Sequence, residues 1–177
     1  MMDKKINYDS IKLKAGLELH QQIDTRHKLF CNCSTQMKEK LPVTTVSRRL
    51  HPVASELGIV DVAAQFEYLR GRMFHYQIFN NESFLVELDE EPPHDLNNEA
   101  LEIALQISLL LNCDIPSEIH VMRKIVIDGS NTSGFQRTVI VGMNGHISYK
   151  GKRIQITQVT LEEDAASIVG EEDGKAT

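Results

Sequence analysis

Near its N-terminus the chain alternates apolar and polar residues in a way that predicts a β-strand. Leu17 and Leu19 occupy every second position, and a charged or polar residue follows each of them. A period of two is typical of a half-buried strand, so we predict a first strand over about residues 11–22. Residues two apart project from the same face of a strand, which should place the Glu18 carboxylate beside the His20 imidazole.

Two later segments carry the signals of α-helices. The first helix should begin near Ser55 or Asp61 and end near Gly71, with part of an apolar face between them. The second, predicted over residues 97–111, begins with asparagines that suit a helix N-cap. Its apolar residues cover more than one face, so we expect this helix to be well buried.

The remaining apolar segments predict strands. A hairpin is indicated where Asn80-Asn81-Glu82 separates two aromatic and aliphatic segments. The predicted strands are residues 73–79, 83–88, 119–127, 138–142, 147–149 and 153–161, whereas residues 34–54 should be irregular. Glu162 and Glu163 should leave the last strand on opposite faces. These elements indicate a mixed α/β (α+β) fold with a largely antiparallel or mixed sheet and flanking helices.

Length and composition are those of a globular protein in a reducing compartment. The chain has 177 residues, 41% hydrophobic and 25% charged, enough for one sizeable domain or two small ones. No apolar segment reaches the roughly 20 residues that cross a bilayer, and the N-terminus lacks the apolar region of a signal peptide. The odd number of cysteines argues against a disulfide framework. We expect a cytoplasmic protein without membrane contact.

The net charge of −6 limits what this chain would bind by itself. A protein that neutralises many phosphates usually has a basic surface. If a nucleic acid is the partner, the main surface that binds it should therefore lie outside this chain. A negative net charge, by contrast, suits the binding of Mg²⁺. Arg48 and Arg49 belong either to a solvated loop or to a contact for an anion or RNA.

Three stretches carry side chains with possible chemistry. A carboxylate beside an imidazole, as at Glu18 and His20, is a minimal pair for a divalent metal or for acid–base catalysis, and is otherwise a solvated polar face. Cys31 and Cys33 suit zinc, but no second cysteine pair follows them, so we do not expect zinc. The loop at residues 128–137 either brings backbone N–H groups close to a phosphate or is an ordinary connection between strands.

Several stretches together form a series of motifs. They are Gly16-Leu17-Glu18-Leu19-His20 with the residues up to 25, then residues 28–33, 48–50, 55–58, 86–94 and 128–137, and finally Leu161-Glu162-Glu163-Asp164-Ala165. In this order they resemble the tRNA-dependent amidotransferase B/E family, and the later stretches resemble its archaeal E subunits. The resemblance covers almost the whole chain.

The resemblance implies a cradle-like α/β domain whose sheet carries a kinase and amination site. Members of this family are ligases of protein biosynthesis, which convert Glu-tRNA(Gln) into Gln-tRNA(Gln). The E subunit is expected to use ATP and Mg²⁺ to phosphorylate the glutamyl γ-carboxylate on the tRNA. Ammonia from the D subunit of the amidotransferase, an asparaginase-type amidase, then replaces the phosphate, and the native complex is expected to be a heterotetramer.

The same resemblance implies roles for individual residues. Glu18, His20 and Glu163 match the metal ligands of the family and are the expected catalytic residues. The alternation of side chains along the last predicted strand is compatible with Glu163 as a metal ligand but does not require it. Ser133 stands where the bacterial B subunits have a lysine, whose role here stays unassigned. The residues that match the nucleotide-side loop, and should bind ATP, are Arg123, Lys124, Ser133, Gly134, Phe135 and Gln136.

Residues 1–177 are accordingly expected to be the N-terminal part of the cradle domain. The family continues for several times this length, so the inserted and helical tRNA-binding domains and the later metal ligands should be absent. The chain alone should be catalytically incomplete. One alternative is a non-catalytic module that binds tRNA or a partner and in which Glu18 and His20 are structural. Another is a zinc-binding adaptor built on Cys31 and Cys33.

Overall fold

The computed structural model describes residues 8–12, 14–36, 41–55, 57–172 and 175–176. No helix of these residues is long and apolar enough to cross a membrane. Position 56, which belongs to one of the motifs, lies outside the described residues. In chain order the elements are α1 (Tyr8–Ile11), β1 (Thr44–Arg49), α2 (Val62–Arg70), β2 (Met73–Ile78), α3 (Asn98–Leu110), β3 (Val121–Ile125), β4 (Phe135–Tyr149), β5 (Lys152–Glu162), β6 (Glu171–Glu172) and β7 (Lys175–Ala176).

The strands of the described residues form two sheets. One sheet has the order β1-β2-β7-β6 and the other has the order β3-β4-β5. Paired strands are antiparallel except β2 and β7, which are parallel. Together with helices α2 and α3, this arrangement confirms the predicted mixed α/β class with largely antiparallel or mixed sheets.

The main core lies between α3 and one face of the three-stranded sheet. Val139 and Val141 of β4 are completely buried. They belong to one cluster with Ala100 and Ala104 of α3 and with Leu161 of β5. Removal of this apolar surface from water is the main favourable contribution to the packing of the helix on the sheet.

Local sequence features start and orient α3. The Asn97 side chain accepts hydrogen bonds from two backbone N–H groups of the first turn, as an N-cap does. The predicted bounds are therefore confirmed. The prediction of burial on more than one face is wrong, because the sheet covers one stripe and leaves Leu109 and Leu110 exposed. The buried residues of the stripe are small and spaced by four: Ala100, Ala104 and Ser108.

Two glycines allow the C-terminal end of α3 to lie directly on β4. A Cβ atom on Gly142 would lie 2.8 Å from Ser108 Cβ, and one on Gly145 would lie 2.4 Å from Cys113 Sγ. Both distances are far shorter than ordinary van der Waals contact. The absence of side chains at these two positions therefore sets how closely the helix approaches the strand.

The predicted hairpin between residues 73–79 and 83–88 is wrong. β2 pairs along its whole length with β1, so the segment predicted to be irregular, residues 34–54, contains a strand. Residues 85–88 lie in a turn instead, and residues 83–84 have no regular structure. The Glu87 carboxylate accepts a hydrogen bond from the backbone N–H of Phe84 at 2.8 Å, and such local bonds compete with strand pairing.

The other predicted elements are confirmed with small changes of bounds. α2 follows the N-cap Asp61 and ends at Arg70, before the C-cap Gly71, whose φ is 67°. β3 and β5 lie where they were predicted. The two strands predicted before β5 are one continuous strand, β4. The chain reverses only after this strand, at Lys150 and Gly151, which both have a positive φ.

The prediction of a first strand at residues 11–22 is wrong. Residues 8–11 form α1, and residues 14–25 contain no strand. Leu17 and Leu19 are 93% and 87% exposed, so their alternation does not serve burial among the described residues. A strand requires a neighbour for its backbone hydrogen bonds, and none of the described strands pairs with this segment.

We expect Gly142→Ala to destabilise the chain, because the new Cβ would collide with Ser108 on α3. Overpacking of this kind lowers the free energy of unfolding by about 1–3 kcal/mol. Gly170→Ala is the matched control, since nothing lies within 4 Å of a Cβ at that position. Chemical denaturation followed by circular dichroism measures both variants, and equal midpoints would contradict the close approach of helix and strand.

Candidate functional site

Glu18 and His20 lie side by side at the surface, as predicted, although no strand holds them. Glu18 Oε1 lies 3.2 Å from His20 Nε2, and both side chains are 74% exposed. A carboxylate oxygen and an imidazole nitrogen are both suitable ligands for a divalent cation. Because the pair is open to solvent, a cation can reach both atoms without displacing other parts of the protein.

Lys124 of β3 joins this pair to the three-stranded sheet. Its Nζ lies 3.8 Å from Glu18 Oε1 and 3.2 Å from Glu162 Oε1. Thr160 Oγ1 donates a hydrogen bond to the same oxygen of Glu162 at 3.2 Å. The ammonium group therefore lies between two carboxylates and offsets part of their repulsion. Glu162, the last residue of β5, is the acidic residue that shares a cation with Glu18.

Glu163 has different surroundings, a buried ion pair with Arg137. Its carboxylate accepts hydrogen bonds from the Arg137 backbone N–H at 2.8 Å and from Nη1 at 3.1 Å. The two side chains are 12% and 10% exposed. The rings of Phe30 and Phe135 lie 5.9 and 5.4 Å from the guanidinium carbon. Burial raises the pKa of the Glu163 carboxyl, and its bonds to Arg137 act in the opposite direction.

A small cavity beside Glu163 has four charged residues in its lining. Its volume is about 30 Å³, room for roughly one water molecule. Lys28 Nζ lies 3.4 Å from Glu87 Oε1 and donates a hydrogen bond to the backbone oxygen of Glu82 at 2.6 Å. The cavity is lined by Lys28, Leu29, Phe30, Val86, Glu87, Glu163, Asp164 and Ala165.

Cys31, Cys33 and Glu87 form a cluster of possible metal ligands. One ligand atom of each lies within 4.8 Å of the others, and no other such group of three occurs among the described residues. The Cys31 thiol donates a hydrogen bond to Glu87 Oε1 at 2.8 Å. Burial raises the pKa of both thiols. A closed structural zinc site has four ligands, so these three fit only an open site, and zinc would first have to displace their protons.

The predicted magnesium ligands are divided between two places. Glu18 and His20 are together at the surface, whereas Glu163 is bound to Arg137. The ligand atoms of the three predicted residues do not all lie within 4.8 Å of one another. The assignment of Glu18, His20 and Glu163 to one metal ion stays a prediction.

The loop predicted to bind ATP packs against the buried ion pair. Ser133 and Phe135 are buried, and Ser133 Oγ donates a hydrogen bond to the backbone oxygen of Phe135 at 2.9 Å. Gln136 Nε2 donates to the backbone oxygen of Glu163 at 2.6 Å. These side chains are thus bonded within the chain, and binding of a nucleotide by this loop stays a prediction.

Arg123 and Lys124 are the more accessible members of the predicted nucleotide site. They lie on β3, where every residue is exposed. The Arg123 guanidinium lies 4.8 Å from the centre of the Phe135 ring. Gly134 has a φ of 76°, and a Cβ there would lie 3.1 Å from the backbone oxygen of His51. The loop is therefore closely packed at Gly134, and the Arg123 guanidinium lies beside the next residue, Phe135.

The two interpretations of Arg48 and Arg49 both assumed a loop, and this assumption is wrong because both residues lie on β1. Arg48 forms an ion pair with Glu90, so its charge is balanced within the chain. Arg49 is exposed. Contact with an anion or RNA at this strand stays a prediction.

Two charged residues of this region were missed by pattern reasoning: Lys28 and Arg137. Neither has a spacing that indicates a site, because only the folded chain brings them near Glu163. Each lies within a motif of the family resemblance, at residues 28–33 and 128–137. Membership of these motifs was the one signal that could have indicated them.

Comparison with known proteins decides the family. Residues 13–177 match the model of the GatB/GatE catalytic domain. The chain belongs to this family. A curated protein from Saccharolobus islandicus, named as the E subunit of glutamyl-tRNA(Gln) amidotransferase, is 54% identical over 173 residues, which are 98% of this chain and 27% of that protein.

Relatives of the same name occur in other archaea. The protein from Saccharolobus solfataricus is 52% identical over 173 residues (98% of this chain, 27% of that protein). The one from Aeropyrum pernix is 53% identical over 167 residues (94% and 26%). The chain thus spans about a quarter of the length of these curated relatives. The predicted resemblance to the B/E family and its archaeal E subunits is confirmed.

In this member of the GatB/GatE family we expect Glu163→Ala to be strongly destabilising. The change leaves the Arg137 guanidinium buried without its counter-ion, which costs about 3–5 kcal/mol of unfolding free energy. Glu18→Ala is the matched control, because its carboxylate is 74% exposed and such a change stays within about 0.5 kcal/mol. Urea denaturation measures both; a loss below that of the control would show that the buried pair does not support the fold.

We also expect stability to fall above pH 9, because of the buried thiols. An unfolded cysteine ionises with an ordinary pKa of 9.0, whereas burial raises the pKa of Cys31 in the folded chain. Below pH 9 both states keep the proton and stability is unaffected; above it only the unfolded state loses the proton, which costs about 1.4 kcal/mol per pH unit.

Cys31→Ser tests this assignment, because a serine hydroxyl can donate to Glu87 but does not titrate in this range. Urea denaturation between pH 7 and pH 10 should show a shallower decline for the variant than for the unaltered chain. Parallel declines would mean that the Cys31 thiol is not responsible.

Proposed function

We propose that this chain supplies part of the ATP- and Mg²⁺-dependent kinase and amination site of an enzyme that converts Glu-tRNA(Gln) into Gln-tRNA(Gln). Its membership of the GatB/GatE catalytic-domain family supports this function. The relatives that it matches over 94–98% of its length are named as E subunits of glutamyl-tRNA(Gln) amidotransferase. Residues 1–177 then form the N-terminal part of the catalytic cradle domain.

The observation that carries the proposal is the solvent-open Glu18–His20 pair within the family's opening motif. Phosphoryl transfer depends mainly on positioning and on neutralisation of the phosphate charge. A bound Mg²⁺ would supply that neutralisation. Glu18 and His20 offer an oxygen and a nitrogen ligand that lie 3.2 Å apart and face solvent.

Neighbouring cations suit the anionic substrates of this reaction. Lys124 lies 3.8 Å from Glu18 Oε1, and Arg123 lies on the same exposed strand. We assign these two residues, with the backbone of residues 133–136, to the nucleotide phosphates. Both cations can attract ATP while the carboxylates beside them hold the metal.

Glu163 is the third proposed metal ligand, and it is the one that has to change partner. Its carboxylate is bonded to Arg137, so it reaches a metal only if those bonds are exchanged. Glu162, by contrast, already shares the Lys124 ammonium group with Glu18. The family motif supports Glu163, whereas the geometry of the described residues favours Glu162 as the nearer carboxylate.

The proposed partners are those that the resemblance implies. Ammonia would come from the D subunit, an asparaginase-type amidase, and the acceptor would be tRNA(Gln) charged with glutamate in a cytoplasmic heterotetramer. The net charge of −6 suits a chain that binds Mg²⁺, because a negative surface attracts the cation. Most contacts to the tRNA phosphates would then be made by other parts of the complex.

A second hypothesis, a non-catalytic module, is favoured by one specific observation. Glu118 and His120 repeat the same spacing, with Glu118 Oε2 at 3.5 Å from His120 Nε2 and side chains 80% and 77% exposed. An exposed pair of this kind therefore forms without any motif around it. In that case Glu18 and His20 would be surface residues of a tRNA- or partner-binding module.

The repeated pair also provides the control that separates the two hypotheses. We expect calorimetry to show that the chain binds Mg²⁺ with ATP, and that Glu18→Ala/His20→Ala raises the dissociation constant at least about tenfold. Glu118→Ala/His120→Ala removes equivalent groups and should leave binding unchanged. Equal losses from both double variants would mean that Glu18 and His20 act only as surface charges.

The same pairs of substitutions, placed in a full-length relative, test the reaction itself. Phosphorylation of the glutamyl γ-carboxylate should be abolished by the change at Glu18 and His20 while the affinity for tRNA is retained. If tRNA binding falls and phosphorylation per bound tRNA survives, the non-catalytic hypothesis holds.

A further inference from the structure

One face of β2 contacts the loop that follows β3. Arg72, Phe74 and Tyr76 are spaced by two residues, so their side chains share a face of the strand. The Arg72 guanidinium carbon lies 5.6 Å from the centre of the Phe74 ring, and the Phe74 and Tyr76 rings lie 6.5 Å apart. The loop at residues 126–134 joins β3 to β4, which belong to the other sheet. These side chains therefore connect the two sheets.

Two backbone oxygens of the loop accept hydrogen bonds from this face. The Tyr76 hydroxyl donates to the backbone oxygen of Gly129 at 2.7 Å, and Arg72 Nη2 donates to that of Ile127 at 3.4 Å. Burial and the nearby negative charge of Asp128 raise the pKa of Tyr76 to about 12. The hydroxyl therefore keeps the proton that it donates throughout the neutral range.

The Phe74 ring fixes the other side of Gly129. Gly129 is buried and has a φ of 92°, a conformation that suits glycine. A Cβ atom at this position would lie 2.1 Å from the Phe74 ring, so the loop backbone lies directly against the ring. Gly129 is thus held both by an aromatic ring and by the hydroxyl two residues further along β2.

The rest of the loop is closed by its own bonds and attached to a second segment. The Val126 N–H donates to the backbone oxygen of Gly134 at 3.1 Å, and the Gly134 N–H donates to that of Asn131 at 3.2 Å. Thr132 Oγ1 donates to the backbone oxygen of Glu87 at 2.7 Å. The contacts from β2 therefore add a further attachment to a loop whose two ends are already joined.

We infer that Tyr76 is a positioning residue, which holds the loop so that the backbone of residues 133–136 is preformed for the nucleotide phosphates. The inference rests on the proposed function, which assigns that backbone to the phosphates. A backbone that is already fixed binds its ligand with a smaller ordering cost. Tyr76 acts through Gly129, because its hydroxyl is bonded to the loop, whereas Glu18 and His20 are bonded to each other.

The affinity of the chain for ATP tests this role. Tyr76→Phe removes the hydroxyl and keeps the ring, and calorimetry in the presence of Mg²⁺ should show a dissociation constant for ATP that is about fivefold higher. The Mg²⁺ concentration that half-restores ATP binding should stay the same, which a general loosening of the fold would not allow. Tyr68→Phe is the matched control, because the Tyr68 side chain is 44% exposed and its hydroxyl has no hydrogen-bond partner among the described residues.

The outcomes separate this inference from the proposed function. If Glu18→Ala/His20→Ala loses ATP binding while Tyr76→Phe retains the full affinity, the proposed function stands and the role of Tyr76 is wrong. Equal losses from Tyr76→Phe and Tyr68→Phe would also overturn the inference. If the unaltered chain binds no ATP, the proposed function fails, and the role of Tyr76 fails with it.

Hydrogen exchange measures the loop in the absence of a nucleotide. The backbone amides of residues 129–134 should exchange about fivefold faster in Tyr76→Phe than in the unaltered chain, whereas those of α3 should exchange at the same rate. Equal exchange of the loop amides in the two proteins would show that Gly129 is held without the hydroxyl, and would overturn the inference. Circular dichroism confirms that each variant is folded before it is compared.

Discussion

The buried ion pair of Arg137 and Glu163 is the interaction on which the rest of this region depends. Burial of two charged groups has a desolvation cost in free energy. Their attraction offsets this cost only where their remaining hydrogen-bonding groups also have partners. Here the carboxylate accepts both a backbone N–H and a guanidinium N–H of Arg137. The rings of Phe30 and Phe135 lie near that guanidinium. The pair therefore joins β4, the end of β5 and the segment that contains the cysteines.

The pleat of β5 explains why two neighbouring acidic residues have different roles. Glu162 meets Lys124, which also reaches Glu18 at the surface. Glu163, one residue later, meets Arg137 in the interior. One charge cluster therefore lies beside the exposed Glu18 and His20, whereas the other is buried. Any role of Glu163 in binding a metal requires a movement between these two clusters.

Family membership and geometry contribute different parts of the proposed function. The GatB/GatE match indicates the class of reaction, whereas the structure indicates which side chains are accessible for it. The Glu18–His20 pair is accessible but shares its geometry with Glu118 and His120. Its chemistry therefore rests on the surrounding motif and on the cation at Lys124, not on the pair itself.

Sequence alone determined α2, α3 and the family, because caps and motifs are local. Asp61 and Asn97 start their helices with their own side chains, so the bounds could be predicted. Strand pairing depends on distant partners, and therefore the partner of β2 and the absence of a strand around Leu17 were decided only by the tertiary structure. The same holds for the site: the motifs named Glu163, but only packing showed that it lies buried against Arg137, because desolvation and ion pairing arise between segments far apart in the chain.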